Sequence, residues 1–344
     1  MAEASTARLE ADPYDPDDAA FARQPVWSLR NAGQLLLALL VATPSIYATA
    51  LAYDGGPASC ASGAGPLACW RLIAIEQPIV AIHLLFFVGV CLLLWAISLV
   101  QRSCWLIDLY WTLVPPLAFG FFAAHPAATS QPPRASLVLA LVLIWSLRLT
   151  YNYLRRERMR FGAREDWRFA KKRREMKGFW WFSFFYAYLS QQVLLLGLVL
   201  PLWAIHHSEV PFGAFDLVCS GLMALGIAIA HLADTQLHAF MKANAERARR
   251  GEDKVMVLDT GLWRHARHPN YFGEQLFWWA LAGLGVLAGH PWVVVGTLLN
   301  SVVMLVVTIM TEQRMVARGE RASAYQAYRR RTSMWIPWFV RGDA

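Results

Sequence analysis

Residues 136–153 read SLVLALVLIWSLRLTYNY, and residues 154–178 read LRRERMRFGAREDWRFAKKRREMKG. The first stretch carries one charge, Arg148, and as a helix it is long enough to cross most of the hydrocarbon core of a bilayer. The second carries eleven Lys and Arg. An apolar run released into a cationic loop reads as a membrane helix ending at an anionic cytosolic surface. Seven more runs of similar character lie near 33–53, 78–100, 105–123, 179–203, 212–240, 271–289 and 291–311. Pro115-Pro116 predicts a kink in the third run from the N-terminus, and Gly289-His290-Pro291 predicts a tight hairpin between the last two. The 212–240 run is long enough for one end to project beyond the bilayer.

Composition agrees with that reading. Of 344 residues, 57% are hydrophobic and 16% charged, and the mean hydropathy is +0.35. A soluble domain has no interior large enough to hide this much apolar surface. The net charge of +8 does not point to nucleic acid, because the cations sit in blocks between apolar runs. Segments 241–268 and 311–344 hold seven Lys and Arg each, whereas 204–211 holds none and 124–135 only Arg134. Eight spans reconcile the pattern, with both termini and every basic loop cytosolic. The expected fold is therefore an all-α, polytopic transmembrane helix bundle of about eight spans. Residues 1–32, with Asp12, Asp15, Asp17 and Asp18, read as a disordered cytosolic tail, and 33–104 as N-terminal transmembrane helices. The lipid bilayer is the expected partner. Cys60 and Cys69 share the outward loop 54–77, as a disulfide or as two free thiols. Cys91, Cys104 and Cys219 read as core thiols.

The segment with the densest chemistry is Thr260-Gly261-Leu262-Trp263-Arg264-His265-Ala266-Arg267-His268-Pro269-Asn270-Tyr271-Phe272-Gly273-Glu274. Pro269 suits the first turn of a helix, whose free N–H groups and positive dipole end favour an anion. Arg264 and Arg267 add guanidinium groups that match phosphate, and Asn270 and Tyr271 add neutral donors. A phosphate-bearing ligand at the cytosolic membrane face fits these residue types. The adjacent His206-His207 and the i, i+3 pair His265/His268 offer too few converging ligands for a metal, and none is expected.

This segment resembles the signature shared by the steroid 5α-reductases, the sterol Δ14/C24 reductases with the lamin B receptor, and the isoprenylcysteine carboxyl methyltransferases. Gly-Leu-Trp-Arg followed by Arg-His-Pro-Asn-Tyr-Phe-Gly-Glu is most similar to the branch grouped with the 5α-reductase C-terminal domain. Ala233-Asp234-Thr235-Gln236 through Phe240, Glu165-Asp166-Trp167-Arg168, Asp108-Leu109-Tyr110-Trp111 and Tyr325 through Pro337 extend the likeness. It implies a 5α-reductase-like membrane domain over 105–344, with a cytosol-facing cofactor pocket in the C-terminal half. The implied activity is an NADPH-dependent oxidoreductase that reduces a C=C bond in a lipophilic, sterol-like or enone small molecule. The implied site is an endoplasmic reticulum membrane if the source is eukaryotic, an inner membrane if bacterial. Cofactor contacts would come from Asp234, Gln236, Lys242, Arg264, Arg267, His268, Asn270, Tyr271, Glu274, Glu312 and Tyr325. Tyr110 or Tyr186 would donate a proton to the substrate, with Asp108 beside Tyr110.

Two departures keep alternatives open. Members of this branch usually carry a Glu four residues before the position of Asp234, where this chain has Ala230. The methyltransferases carry a Glu-Glu pair where this chain has Thr311-Glu312. S-adenosylmethionine-dependent methyl transfer to an isoprenylcysteine or lipid is the second reading, and a non-catalytic membrane scaffold the third. Four further positions have two readings each. Arg148 either snorkels to the interface or points into a cavity. Tyr188, Gln191 and Gln192 join Tyr186 in a polar patch, as helix-to-helix glue or substrate contacts. Trp335 and Trp338 fit an interfacial position.

Overall fold

The computed structural model describes residues 23–129, 131–317 and 319–339. Residues 1–22, which hold the four aspartates of the expected tail, and Arg318 lie outside the described residues. The described residues are helical throughout apart from connecting segments and one isolated bridge, Ala266 to Ser333. Six helices are long and apolar enough to cross a membrane. They are α1 (Leu29–Ala52), α3 (Pro78–Gln101), α6 (Pro132–Arg156), α8 (Phe179–His206), α9 (Ala214–Arg249) and α11 (Pro291–Ala317). Between them lie α2 (Pro66–Glu76), α4 (Leu106–Tyr110), α5 (Val114–Ala123), α7 (Trp167–Glu175) and α10 (Pro269–Leu287), and α12 (Gly319–Arg331) follows α11.

Helix boundaries follow local chemistry. Proline stands in the first turn of α2, α3, α5, α6, α10 and α11, where its missing N–H costs nothing. Ser28 caps α1 by accepting from Asn31 N at 3.2 Å, and Asp166 caps α7 by accepting from Arg168 N at 2.8 Å. Arg102 (φ 55°) ends α3 in the left-handed region. Two helices carry a π-helical stretch, Phe87–Leu92 in α3 and Phe184–Leu189 in α8, a feature often found at functional sites.

Several boundaries differ from the sequence reading. The 105–123 run is two short helices, because Pro115 and Pro116 start α5 instead of kinking a continuous one. The 271–289 run is the nineteen-residue α10, whose polar first turns, with Asn270, Glu274 and Gln275, keep it out of the six. Residues 23–32, grouped with the tail by composition, belong to the fold. Asn31 Nδ2 donates to Met159 O at 3.0 Å and its Oδ1 accepts from Phe161 N at 2.7 Å, while Gln24 is buried beside it.

The contacts sort the bundle into two ends. At the basic end, Asn31 meets 159–161, Cys104 N donates to Glu165 Oε2 at 2.8 Å, and Arg173 Nη1 donates to Arg102 O at 3.2 Å. At the other end, His125 Nε2 lies 2.9 Å from Ile75 O, Thr129 N donates to His206 O at 2.9 Å, and His290 Nε2 lies 3.4 Å from His207 O. Cys60 and Cys69 are joined by a disulfide in the α1–α2 connection, which settles the question their spacing left open. Arg134, the one cation of its loop, is buried. Its Nη2 donates to Asp216 Oδ2 at 3.0 Å and to Pro211 O at 3.1 Å, and its Nη1 to Val210 O at 3.0 Å. A buried charge needs such pairing, since an unpaired one costs several kcal/mol.

The most extensive helix–helix contact among the described residues is α9 with α10, and it is made at backbone distance. A Cβ on Gly226 would sit 2.6 Å from Gly273 O, and a Cβ on Gly273 would sit 2.6 Å from Ala230 N and 2.9 Å from Ala230 Cβ. Ala230 is fully buried in this contact. A glutamate there would have to force the two backbones apart, so the alanine is a packing residue of this crossing.

Candidate functional site

The α9–α10 contact places two acidic helix faces side by side. Asp234 comes from α9 and Glu274 from α10, and α6 supplies their counter-charge. Arg148 Nη1 donates to Asp234 Oδ2 at 3.2 Å, and its Nη2 pairs with Glu274 Oε1. Arg148 therefore points inward instead of snorkelling, and what it meets there is an ion-pair network. Trp145 Nε1 donates to Glu274 Oε2 at 2.9 Å, Asn152 Nδ2 to Asp234 Oδ2 at 2.9 Å, and Asn270 Nδ2 to Asp234 Oδ1 at 3.1 Å. Trp145, Arg148 and Asn152 share one face of α6 by their spacing of three and four. The buried network holds two carboxylates against one guanidinium, with Asn270 Oδ1 and Arg148 Nε buried and unpartnered.

Beside it, the ends of α6 and α9 form a basic cleft. Arg155, Arg158, His238, Met241, Lys242, Ala245 and Arg249 line about 330 Å³. Asp234, His238, Met241, Lys242, Ala245 and Arg249 recur at helical spacing, so the cleft continues the face of α9 that carries Asp234. Arg155 links the two, donating to Asn152 Oδ1 at 3.0 Å and to Thr235 Oγ1 at 3.2 Å.

A second network staples the 264–268 segment to the C-terminus. Arg267 is buried, and its Nε donates to Glu312 Oε1 at 2.7 Å and its Nη1 to Arg329 O at 3.2 Å and to Thr332 O. Arg329 Nε lies 3.2 Å from Glu312 Oε2, and His268 Nε2 lies 3.3 Å from Glu312 Oε1. His268 stacks on Tyr271 at 5.2 Å between ring centroids. Arg267 N and His268 N, the amides just before and at the N-cap of α10, donate to Ser333 O at 2.8 Å and Met334 O at 3.0 Å. Tyr325 and Tyr328 pack edge-on at 6.0 Å, and burial pushes both hydroxyls above their ordinary range. Arg264 is exposed on the short helical turn Gly261–Arg264. Gln236 clamps that turn by accepting from Leu262 N at 3.0 Å. Gly261 has φ +59°, a backbone angle that favours glycine, and a Cβ on it would lie 2.6 Å from the Gln236 amide nitrogen and displace that side chain from its bond to Leu262 N.

The residues expected to meet substrate are dispersed. Tyr110 is buried and donates to Ser45 Oγ at 2.9 Å. It lines a narrow void of about 10 Å³ with Phe86, Ile107, Trp111, Gln191 and Gln192. Gln192 Nε2 donates to His83 O at 2.9 Å and Gln191 accepts from Trp111, which ties α8 to α3 and α4. Tyr186 stacks on Phe182 at 5.6 Å and meets Phe169 of α7 edge-on at 6.0 Å; it is not among the residues that line the Tyr110 void. Asp108 has Arg156, Arg168, Asp166 and Glu157 as charged neighbours. Burial pushes the Asp166 carboxyl up, but Arg168 Nε at 2.8 Å outweighs it and holds the carboxyl below its usual range.

Sequence reasoning found both acids and missed Trp145 and Asn152, whose spacing from Arg148 was the available signal. It also placed Arg267 and Glu312 as separate ligand contacts, although they pair with each other. Among the described residues no group of three or more His, Cys, Asp or Glu is arranged to hold a metal.

Residues 94–332 match the family model described as protein of unknown function DUF1295. The chain belongs to this family. The DUF1295 region begins within α3 and ends just past α12, so it contains the acid–arginine network and every side chain of the second network, with Ser333 and Met334 just beyond it and α1 and α2 outside. An uncharacterized protein of Schizosaccharomyces pombe is 29% identical over 213 residues, which is 57% of this chain and 62% of the relative. The match thus spans less than two thirds of that relative's length. No solved structure matches the chain.

Proposed function

We propose that this DUF1295 chain is a membrane-bound, NADPH-dependent reductase of a C=C bond in a lipophilic, sterol-like or enone substrate, of the steroid 5α-reductase-like class. The observation that carries the reading is the basic cleft of Arg155, Arg158, Lys242 and Arg249, open beside a buried acid–arginine network. Guanidinium and ammonium groups in a recess suit phosphate. Outside the cleft's lining, in the acid network on the same face of α9, the buried Asn270 Oδ1 is an unpartnered neutral acceptor, and an amide acceptor together with a phosphate site suits the chemistry of a dinucleotide. NADPH, when bound, supplies a hydride. The chain's own groups hold the phosphates at Lys242 and the α6–α9 arginines, and fix Asn270 through Asp234. The Tyr110 hydroxyl, which donates to Ser45 Oγ beside a void of about 10 Å³, would exchange that partner for a substrate carbon or oxygen as the void widens around the substrate.

Eight crossings are part of this proposal. The α4–α5 pair starts where Cys104 meets Glu165 and finishes where His125 meets Ile75. Likewise α10 starts near Glu312 and finishes at His290 beside His207. Counting these two with the six long helices puts every basic loop on one side; counting six alone sends 157–178 and 250–268 to the wrong one. In sealed cells a tag at Pro57 is expected to be reachable from the non-cytosolic side, and tags at Met1 and Ala344 are not. Opposite sidedness of the two termini would overturn the topology.

The function test uses the purified chain in detergent or nanodiscs, offered NADPH or S-adenosylmethionine and a 3-oxo-Δ4 steroid. NADPH binding and consumption are expected. Tyr110→Phe is expected to lower turnover by roughly 10²–10³ with little change in NADPH affinity, as for loss of a donor aimed at developing charge. Binding of S-adenosylmethionine without NADPH would transfer the reading to methyl transfer. Binding of neither would leave a scaffold.

A further inference from the structure

Past α12 the chain does not leave the bundle. Residues 333–338 run back along the 265–268 segment, with Arg267 N bonded to Ser333 O, His268 N to Met334 O, and Trp338 N to His265 O at 3.0 Å. Trp335 Nε1 then donates to Thr308 Oγ1 of α11 at 2.9 Å. Thr308 lies one helical turn, about 6 Å, inside Glu312, which is the first charge after the uncharged stretch 291–311. The segment therefore reaches the depth at which α11 enters its apolar run. Its outward side chains are large and bare: Ile336 is 65% exposed, Trp338 64% and Phe339 81%. Among the described residues nothing covers these three apolar side chains at that level. Trp and Phe at the boundary between headgroups and acyl chains are what such a surface suits. Continuity with the apolar face of α11, where Val302, Leu305 and Val306 are also exposed, identifies the occupant as lipid.

We propose that residues 333–339 form a foot inserted into the lipid leaflet at the basic end of the bundle, and that its insertion holds the 265–268 segment in place. The coupling is mechanical. The same backbone that carries Ile336 and Trp338 accepts the amides of Arg267 and His268 and, through Thr332 O, a guanidinium N–H of Arg267. The 264–270 segment is thereby fixed at the membrane surface whatever ligand it serves.

The test has two arms on the full chain in phosphatidylcholine–phosphatidylglycerol vesicles. In the first, photoreactive benzoylphenylalanine replaces Phe339, with Val302 in mid-α11 as the lipid-facing control and Val255 in the α9–α10 loop as the aqueous control. Phospholipid adducts at 339 are expected in yields like those at 302. A yield like that at 255, or adducts chiefly to a second copy of the chain, overturns insertion. In the second, Trp338→Asp with Phe339→Asp is expected to speed hydrogen exchange of the Arg267 and His268 amides at least tenfold, with α6 and α9 still protected. Unchanged exchange at those two amides overturns the coupling.

Discussion

Arg148→Met is expected to destabilise the chain by about 3–5 kcal/mol, the usual cost of removing one partner from a buried ion pair. The arginine is the guanidinium shared by Asp234 and Glu274, and both carboxylates sit in helices packed at backbone contact. Without it they face each other across α9 and α10 with only neutral donors, Asn152, Asn270 and Trp145. Adding Asp234→Asn and Glu274→Gln to Arg148→Met removes the repulsion and is expected to restore part of the loss. The measurement is unfolding in detergent followed by helical signal, on the single and triple variants. A single variant within about 0.5 kcal/mol of wild type would show that the carboxylates hold their places unaided.

Gly273→Ala is expected to have the second large effect. The added methyl would meet Ala230 N and Gly226 O at 2.6 Å. These are backbone atoms and cannot swing aside, so the helices must separate, at a cost of about 1–3 kcal/mol or more. The same turn of α10 carries Asn270 and Glu274, so separation also pulls apart the acid network, and NADPH affinity is expected to fall with stability. Gly283→Ala is the control on the same helix. Its methyl would meet only the Cys219 Sγ, at 3.3 Å, and a change below about 1 kcal/mol is expected. Equal losses for the two variants would mean that the α9–α10 crossing is not the sensitive contact.

What the sequence displayed was local. Apolar runs, proline helix starts and blocks of cations are each visible within twenty-five residues, and they placed most helix positions and both polar segments. Asp234, Asn270 and Glu274 stood out because they lie in the motifs that carry the family resemblance. What stayed hidden was pairing across distance. Arg267 and Glu312 are 45 residues apart and looked like two ligand contacts because each suits phosphate or ribose chemistry. The return of Ser333 and Met334 to the amides of 267 and 268 has no periodic signature. Arg148 had two readings on α6 alone, and its place in an interhelical ion-pair network came into view only with α9 and α10. The break at 111–113 was hidden because hydrophobicity continues through it, and only Pro115-Pro116 marked the place.

The Arg134–Asp216 pair gives synthesis of this chain a timetable. Arg134 is 82 residues ahead of its partner. At roughly 5–20 residues per second on the ribosome, about 4–16 s pass between the two. On the eight-crossing topology Arg134 must be carried across the membrane during that interval, before its carboxylate exists. A waiting cation needs water, headgroups or the insertion machinery as a temporary host, so α6 remains provisionally placed until α9 is made. A ribosome stalled between these helices would hold the nascent chain in that unfinished state, exposed to membrane quality control.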